Sequence, residues 1–294
     1  MNFFLQTLID AFSLGGLYAL LALGLGMVFG IMRLVNFAHG EIIMICGYAM
    51  FFLAGQSSWL VVAGILVVSV VVAVLMERVA FRPLRGAEPS TLMIASFALS
   101  YFLQNLALAI MGGFPKSLDA LPVLIKPINL YRLNVPTGSV VTIIVTAAVL
   151  IALTLFLQRT SLGIQMRAAA EDSTASQLLG VRTNRVVASA FVISGLLAGI
   201  MSLLFISQLG LVGPRVGLEP LIVAFVGVVL GGMGSLPGAA LGGFMVGVIQ
   251  TAFQAVLPPT LGGYRQAFVF GVVIFFLLFR PRGILAPPQV ERRA

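Results

Sequence analysis

The chain has 294 residues, of which 60% are hydrophobic and 9% are charged, whereas an ordinary soluble domain has about 25% charged residues. This composition excludes a soluble globular protein and is typical of a polytopic membrane protein. The formal charge of +8 comes from cations at the ends of apolar runs, where residues that orient membrane segments lie, so nucleic-acid binding is not expected.

Nine apolar runs follow one another along the chain, and together they predict one all-α membrane domain over residues 1–294 with about eight to ten transmembrane helices. The second and seventh runs are short, which indicates broken or re-entrant helices. The nine runs cover residues 10–32, 42–54, 59–76, 91–111, 140–157, 186–206, 221–233, 239–257 and 267–279.

Arginines concentrate in three connections, which predicts that these connections face the cytoplasm. They are Arg78, Arg82 and Arg85; Arg159, Arg167, Arg182 and Arg185; and, after the last run, Arg280, Arg282, Arg292 and Arg293. The proline-rich connection 113–137, with Lys116, Lys126 and Arg132, is predicted to lie outside. The number of runs between these connections then places the C-terminus in the cytoplasm.

A polar cluster directly after the first run contains Asn36, His39 and Glu41. Charged groups at membrane depth are costly and are usually paired or functional. The cluster has two interpretations: a cytoplasmic turn whose polar groups cap the next helix, or the lining or gate of a solute path. Arg215 and Glu219 flank the seventh run and present the same choice, with an ion pair that caps a helix favoured.

Glycines recur at four-residue spacing in the segment LGGMGSLPGAALGG, residues 230–243. This spacing places them on one helix face and predicts close packing of neighbouring helices. An interrupted hairpin whose backbone lines a cavity is the alternative, and both can hold together. In the second case Gly231, Gly232 and Gly234 are candidates for the solute path.

The long connection at about 158–185 has an organisation of its own. Residues 164–179 favour one helix, and Gly180 is a natural stop for it. A docking face for a soluble partner would consist of the apolar Met166, Ala169, Ala170 and Leu178, with the charged Arg167, Glu171 and Asp172 at its flank. A merely solvated helix is the alternative.

Motifs for catalysis are missing from the sequence. Neither Lys116 nor Lys126 follows a P-loop glycine pattern, a single His39 and a single Cys46 leave too few zinc ligands, and no GxSxG elbow occurs. We therefore expect that the chain is not an enzyme, and that it has no catalytic residue, no metal site and no bound cofactor.

Four blocks carry a family resemblance: NFAHGEIIM at 36–44, ERVAFRPLR at 77–85, TSLGIQMRAAAEDSTASQLLGV at 160–181 and VLGGMGSLPGAALGG at 229–243. With these blocks in this order, the chain resembles the permease subunits of bacterial ABC importers for branched-chain amino acids. Permeases for urea and short amides share the blocks, so an importer of those solutes is an alternative. A secondary transporter or channel working alone is less favoured, since few ionisable residues beyond Asp10 and Glu41 lie within the runs.

The resemblance implies a multi-pass protein of the bacterial inner membrane, surrounded by lipid, that forms half of a translocation path. It implies three kinds of protein partner: a homologous second permease, two cytoplasmic ATPase subunits and a periplasmic amino-acid-binding protein. The ATPase subunits, and not this chain, would use ATP and Mg. It also implies that residues 158–185 form the loop that couples the permease to the ATPases. The candidate residues of this loop are Gly163, Arg167, Ala168, Glu171, Asp172 and Gly180.

Overall fold

The computed structural model describes residues 2–119, 121, 124, 127–130 and 133–285, and this part of the chain is almost entirely α-helical. Its helices are α1 (Asn2–Met32), α2 (Gly40–Phe52), α3 (Ser58–Leu75), α4 (Pro89–Met111), α5 (Thr137–Arg159), α6 (Ser161–Glu171), α7 (Ser173–Leu178), α8 (Thr183–Leu209), α9 (Leu218–Gly231), α10 (Leu236–Val256) and α11 (Arg265–Phe279). The predicted all-α fold class is confirmed.

Shorter elements complete the described chain. Short 3₁₀ helices cover Phe37–His39 and Pro259–Tyr264, and a π-helical turn at Met76–Phe81 extends α3. The strands β1 (Lys116–Ser117), β2 (Pro127–Leu130), β3 (Leu133–Pro136) and β4 (Leu211–Val212) form two antiparallel pairs, β1 with β4 and β2 with β3.

Each of the nine predicted apolar runs corresponds to a helix in the structure. Seven helices in the described residues are long and apolar enough to cross a membrane, and two shorter apolar helices cover Phe37–Phe52 and Leu218–Gly231. These two are the second and seventh runs. Seven helices of sufficient length to cross and two shorter apolar helices agree with the predicted polytopic architecture, in which those two runs are broken or re-entrant.

Helix α1 forms the axis of the bundle. In its most apolar stretch 83% of the residues are buried, whereas the share is 11% in the corresponding stretches of α4 and of the helix that ends at Phe279. It packs antiparallel to α10, since Gly15 contacts Gly247 and Gly26 contacts Ala239. A β-carbon added to Gly243 would lie 2.6 Å from the Tyr18 carbonyl oxygen, so the backbones approach closely. The predicted packing role of the spaced glycines is confirmed.

Helices α9 and α10 form an antiparallel hairpin that turns at residues 232–235. Gly232 and Gly234 have φ angles of 110° and 94°, which side-chain-bearing residues rarely adopt. The segment after α11 completes this turn, because the amides of Ile284 and Leu285 donate to the carbonyls of Leu230 and Gly231 at 3.0 and 2.9 Å. The hairpin is confirmed, whereas the lining of a cavity by its backbone stays a prediction, because Gly231 and Gly232 pack against the backbone of Gly238 and Gly283.

The three arginine-rich connections lie at one end of the bundle, which we call the arginine end. Arg33, just after α1, donates to the carbonyl of Ala170 at 3.1 Å. Arg85 contacts Asn184 at the start of α8, and the residues after α11 meet the end of α9. The predicted common side of these connections is confirmed for the described residues. Lys126, Arg132, Arg292 and Arg293 lie outside the described residues.

The close glycine contacts predict an asymmetric response to added methyl groups. A β-carbon on Gly242 would overlap the carbonyl oxygen of Gly227, whereas one on Gly271 meets no atom within 4 Å. Gly242→Ala should lower the free energy of unfolding in detergent by about 1–3 kcal/mol. Gly271→Ala, the matched control on α11, should leave it unchanged or raise it, because alanine favours helix. Equal unfolding midpoints of the two variants in a denaturant titration would contradict this packing.

Candidate functional site

The two short helices α2 and α9 begin against each other inside the bundle. A β-carbon on Gly40 would lie 2.7 Å from the carbonyl oxygen of Gly217, and one on Gly217 would overlap the carbonyl of Gly40. His39 contacts Gly24 of α1, which continues to Met32, about 12 Å further. We call this meeting point the Gly40–Gly217 junction.

From the junction the two short helices run in opposite directions. Helix α2 ends near Phe51, whose ring lies 5.1 Å from the Lys116 ammonium at the end opposite to the arginines. Helix α9 ends at the arginine end, where Leu230 meets Ile284. Each short helix follows a long helix and a return segment that is not α-helical. Helices broken in this way bring backbone groups without helical partners to the interior of many transporters.

Asn36 and His39 hold the return segment in place. The Asn36 side-chain oxygen accepts a hydrogen bond from the Ala38 amide at 3.0 Å and so caps the 3₁₀ turn. The Ser194 hydroxyl donates to the carbonyl of Gly24 at 2.9 Å and lies 3.4 Å from His39 Nδ1. His39 Nε2 is buried and has no hydrogen-bond partner among the described residues.

Glu41 joins the start of α2 to α4. Its carboxylate accepts from the Ser100 hydroxyl and from the Gln104 side-chain amide, both at 2.7 Å. Asn36, His39 and Glu41 are at most 2% exposed. The cluster is therefore inside the bundle, so the interpretation as a cytoplasmic turn was wrong. Asn36 caps the 3₁₀ turn before α2, and no side chain caps α2 itself.

The prediction of an ion pair between Arg215 and Glu219 was wrong. In the structure the carboxylate of Glu219 accepts a hydrogen bond from the Gln266 side-chain amide at 2.6 Å. The described residues contain one ion pair, between Arg85 and Glu77, and Arg215 takes no part in it. Glu219 therefore links α9 to α11, a contact that sequence proximity could not reveal.

The connection 158–185 contains two helices, so the expectation of one continuous helix was wrong. Helix α6 ends at Glu171 and α7 begins at Ser173. The break occurs at Asp172, whose carboxylate accepts from the amides of Thr174 and Ala175 at 2.9 Å each. Aspartate favours this N-cap geometry over a helix interior. Gly180, with φ of 87°, ends the segment as expected.

The apolar side of α6 packs on the bundle itself. Met166 and Ala169 are 2% and 3% exposed and belong to the main core, and Ala170 is held by Arg33. A β-carbon on Gly163 would lie 2.6 Å from Leu157 Cα, so α6 and α5 are in close contact. The predicted docking face built on Met166, Ala169 and Ala170 was therefore wrong, since those residues face inward.

The outward surface of this segment carries a different set of side chains. Arg167 and Glu171 are exposed on α6, and Ala168 beside them is half-buried. Leu178 and Leu179 are 86% and 85% exposed. We call the exposed set the outer loop face; it consists of Ile164, Arg167, Glu171, Leu178 and Leu179. Only Leu178 among its apolar members was predicted.

Comparison with known proteins gives a consistent result over the whole chain. A family model described as "Branched-chain amino acid transport system / permease component" matches residues 7–278. The high-affinity branched-chain amino acid transport system permease protein BraD of Pseudomonas aeruginosa is 37% identical, with 98% of each chain covered. The corresponding protein LivH of Escherichia coli K12 is 34% identical over 99% of this chain and 98% of its own.

A second type of relative matches only part of the chain. The permease protein LivM of Escherichia coli K12, from a system of the same description, is 30% identical over 53% of this chain and 37% of its own. No solved structure matches the chain.

Proposed function

Because the chain belongs to the family of branched-chain amino acid transport permeases, we propose that it is the membrane subunit of an ATP-driven importer for aliphatic amino acids. The observation that carries the proposal is the match to BraD and LivH over at least 98% of this chain. Seven helices long enough to span a membrane and two short broken ones support a transport role, since broken helices form solute sites in transporters.

The importer that we propose has further subunits. The partial similarity to LivM supports a homologous second permease that forms the other half of the path. Two cytoplasmic ATPases would use ATP and Mg, because the sequence has no P-loop. A periplasmic binding protein would deliver the amino acid. This chain then acts in transport and not in catalysis.

The Gly40–Gly217 junction is our candidate for the middle of the solute path. Asn36, His39 and Glu41 surround it, and the unpartnered His39 Nε2 supplies a polar group there. Gly231, Gly232 and Gly234 lie in the turn at the arginine end and are candidates for the exit. Their packing against residues 283–285 supports a turn that moves with α11.

The outer loop face is our candidate for the surface that receives the ATPase. Exposed leucines outside the membrane are typical of a protein-binding surface. Gly163, Ala168, Asp172 and Gly180 shape the loop, whereas Arg167 and Glu171 are free to contact a partner. Because α6 is packed on the bundle, a force applied to this face reaches α1 through Ala170 and Arg33.

The arginine end is proposed to face the cytoplasm of the bacterium, which places the end of α11 there too. Its support is the concentration of positively charged arginines in the connections at that end. A cysteine at Ser117, at the opposite end, should then react with a thiol reagent that is added outside and cannot cross the membrane.

Uptake by the reconstituted complex tests the function. The chain, coexpressed with its native partners and placed in proteoliposomes, should accumulate labelled leucine, isoleucine or valine only when binding protein and ATP are both supplied. Uptake of urea or acetamide with no uptake of leucine would identify the amide importer instead. Gradient-driven uptake by the chain alone would overturn the ATP-driven mechanism.

Substitutions at the junction separate a path from a purely structural cluster. Glu41→Ala removes the acceptor of one buried and one partly buried hydrogen bond and should lower the free energy of unfolding by about 1–3 kcal/mol. The exposed Glu88→Ala is its control. His39→Ala should reduce leucine uptake per folded complex more than it reduces stability. A parallel loss of folding and uptake in His39→Ala would show that His39 has a structural role and is not part of the solute path.

Charge reversal tests the outer loop face. Glu171→Arg and Arg167→Glu should each release the ATPases or uncouple hydrolysis from uptake, because a broken interfacial ion pair costs about 2–5 kcal/mol. Glu88→Arg, an exposed carboxylate in another connection at the arginine end, is the matched control. Copurification and the ratio of ATP hydrolysed to leucine imported measure the effect. Normal values in both variants would remove these side chains from coupling.

A further inference from the structure

A cavity of about 380 Å³ opens between four helices at the end of the bundle opposite to the arginines. We call it the four-helix cavity; α1, α5, α8 and α10 line it. Its volume is within the range of about 300–1,000 Å³ that small-molecule sites occupy. Its polar lining residues are Thr7, Asp10, Ser13, Ser139, Gln208, Thr251 and Gln254. So polar a lining within a chain that is 60% hydrophobic requires an explanation.

Asp10 supplies the only charge in this lining. The carboxylate is partly exposed, and no hydrogen bond or ion pair joins it to another residue of the described ranges. A carboxylate in a membrane helix is costly unless it faces water, a cation or a donor. The cavity is therefore suited to a solute with a positively charged group.

Donors without partners face the same space. Ser13 and Ser139 are 3% and 4% exposed and line the cavity, yet neither hydroxyl has a hydrogen bond to the part of the chain that the structure describes. Gln254 Oε1 accepts from Arg265 Nη1 at 2.9 Å, which leaves the Gln254 amide nitrogen as a further donor. These groups suit an anionic group that lies a few ångströms from Asp10.

The remaining walls are apolar. Phe3, Leu14, Leu17 and Ala255 line the cavity beside the polar groups. An acidic acceptor, neutral donors and an apolar wall together match the ammonium, carboxylate and aliphatic side chain of a zwitterionic amino acid.

The polar lining also continues into the bundle. Ser139, Thr142 and Thr146 are spaced by three and four residues and so share one face of α5, and all three are buried. Gln208 donates to Thr142 at 2.9 Å, and Thr146 Oγ1 is buried without a partner among the described residues, next to Gly16 of α1. Further polar groups therefore lie deeper in the bundle, beyond a solute that occupies the cavity.

We propose that the four-helix cavity is an outer subsite of the solute path, in which the Asp10 carboxylate pairs with the ammonium group of the amino acid. The inference rests on the proposed function, because it takes the solute to be an aliphatic amino acid. It gives this permease a point of recognition distinct from the Gly40–Gly217 junction.

Removal of the charge tests the pairing. In proteoliposomes with binding protein and ATP, Asp10→Asn should lower the rate of leucine uptake at least tenfold, normalised to the amount of assembled complex. Asp10→Glu should restore most of it. Asp119→Asn removes the same charge from an exposed position outside the cavity and should not change uptake. Uptake by Asp10→Asn within twofold of the wild type would overturn the proposal.

Accessibility separates solute binding from a structural role of Asp10. With Cys46 replaced by alanine, Ser13→Cys should react with a membrane-impermeant thiol reagent, and leucine-loaded binding protein should slow this reaction. The added Asp10→Asn substitution should abolish the protection while the cysteine still reacts. A control cysteine at Ser117 should react equally with and without leucine.

Two failures can be told apart. A wild-type complex that imports no aliphatic amino acid overturns the proposed function. A complex that imports leucine, but whose Ser13→Cys variant reacts at the same rate with and without leucine, overturns the subsite alone.

Discussion

The backbone contact between Gly40 and Gly217 is the constraint on which the rest of the bundle depends. Inside a membrane no water satisfies the first amides of a helix, so a helix that begins there must begin against protein. Two glycines allow two such beginnings to share one enclosed junction. The long helices α1 and α8 pack around it, and Ser194 and His39 come together there because of that packing.

Helix α1 connects the three regions to which we assign roles. Asp10 lines the four-helix cavity, Gly24 contacts His39 at the junction, and Arg33, directly after the end of α1, holds Ala170 of the connection that bears the outer loop face. One continuous helix therefore touches the proposed entry, middle and coupling points. A displacement of α6 by a partner would be felt along α1, since the packed interior transmits strain.

Small residues make this arrangement stable without a hydrophobic drive between helices. Lipid offers no such drive, so association depends on close packing, which glycines on α1, α9 and α10 provide. Many large apolar side chains on α4 and α11 remain exposed in the single chain. These surfaces are left for lipid and for the second permease that we propose. Substitutions should therefore be least tolerated at the inner glycines.

Local composition determined much of this protein. Hydropathy predicts the nine apolar runs, two of which are too short to cross a membrane, and charge predicts the arginine end. Glycine spacing predicts the hairpin at 230–243. Tertiary structure decided the partners of the polar groups. Glu41 bonds to Ser100 and Gln104, and Met166 turns inward, because α4 and α6 approach from distant parts of the chain. Asp172 divides the predicted helix at 164–179 because its side chain caps the start of α7, an effect that helix propensity does not include. The four-helix cavity has no signature in the sequence, since its polar residues come from four separate helices and meet only when these pack.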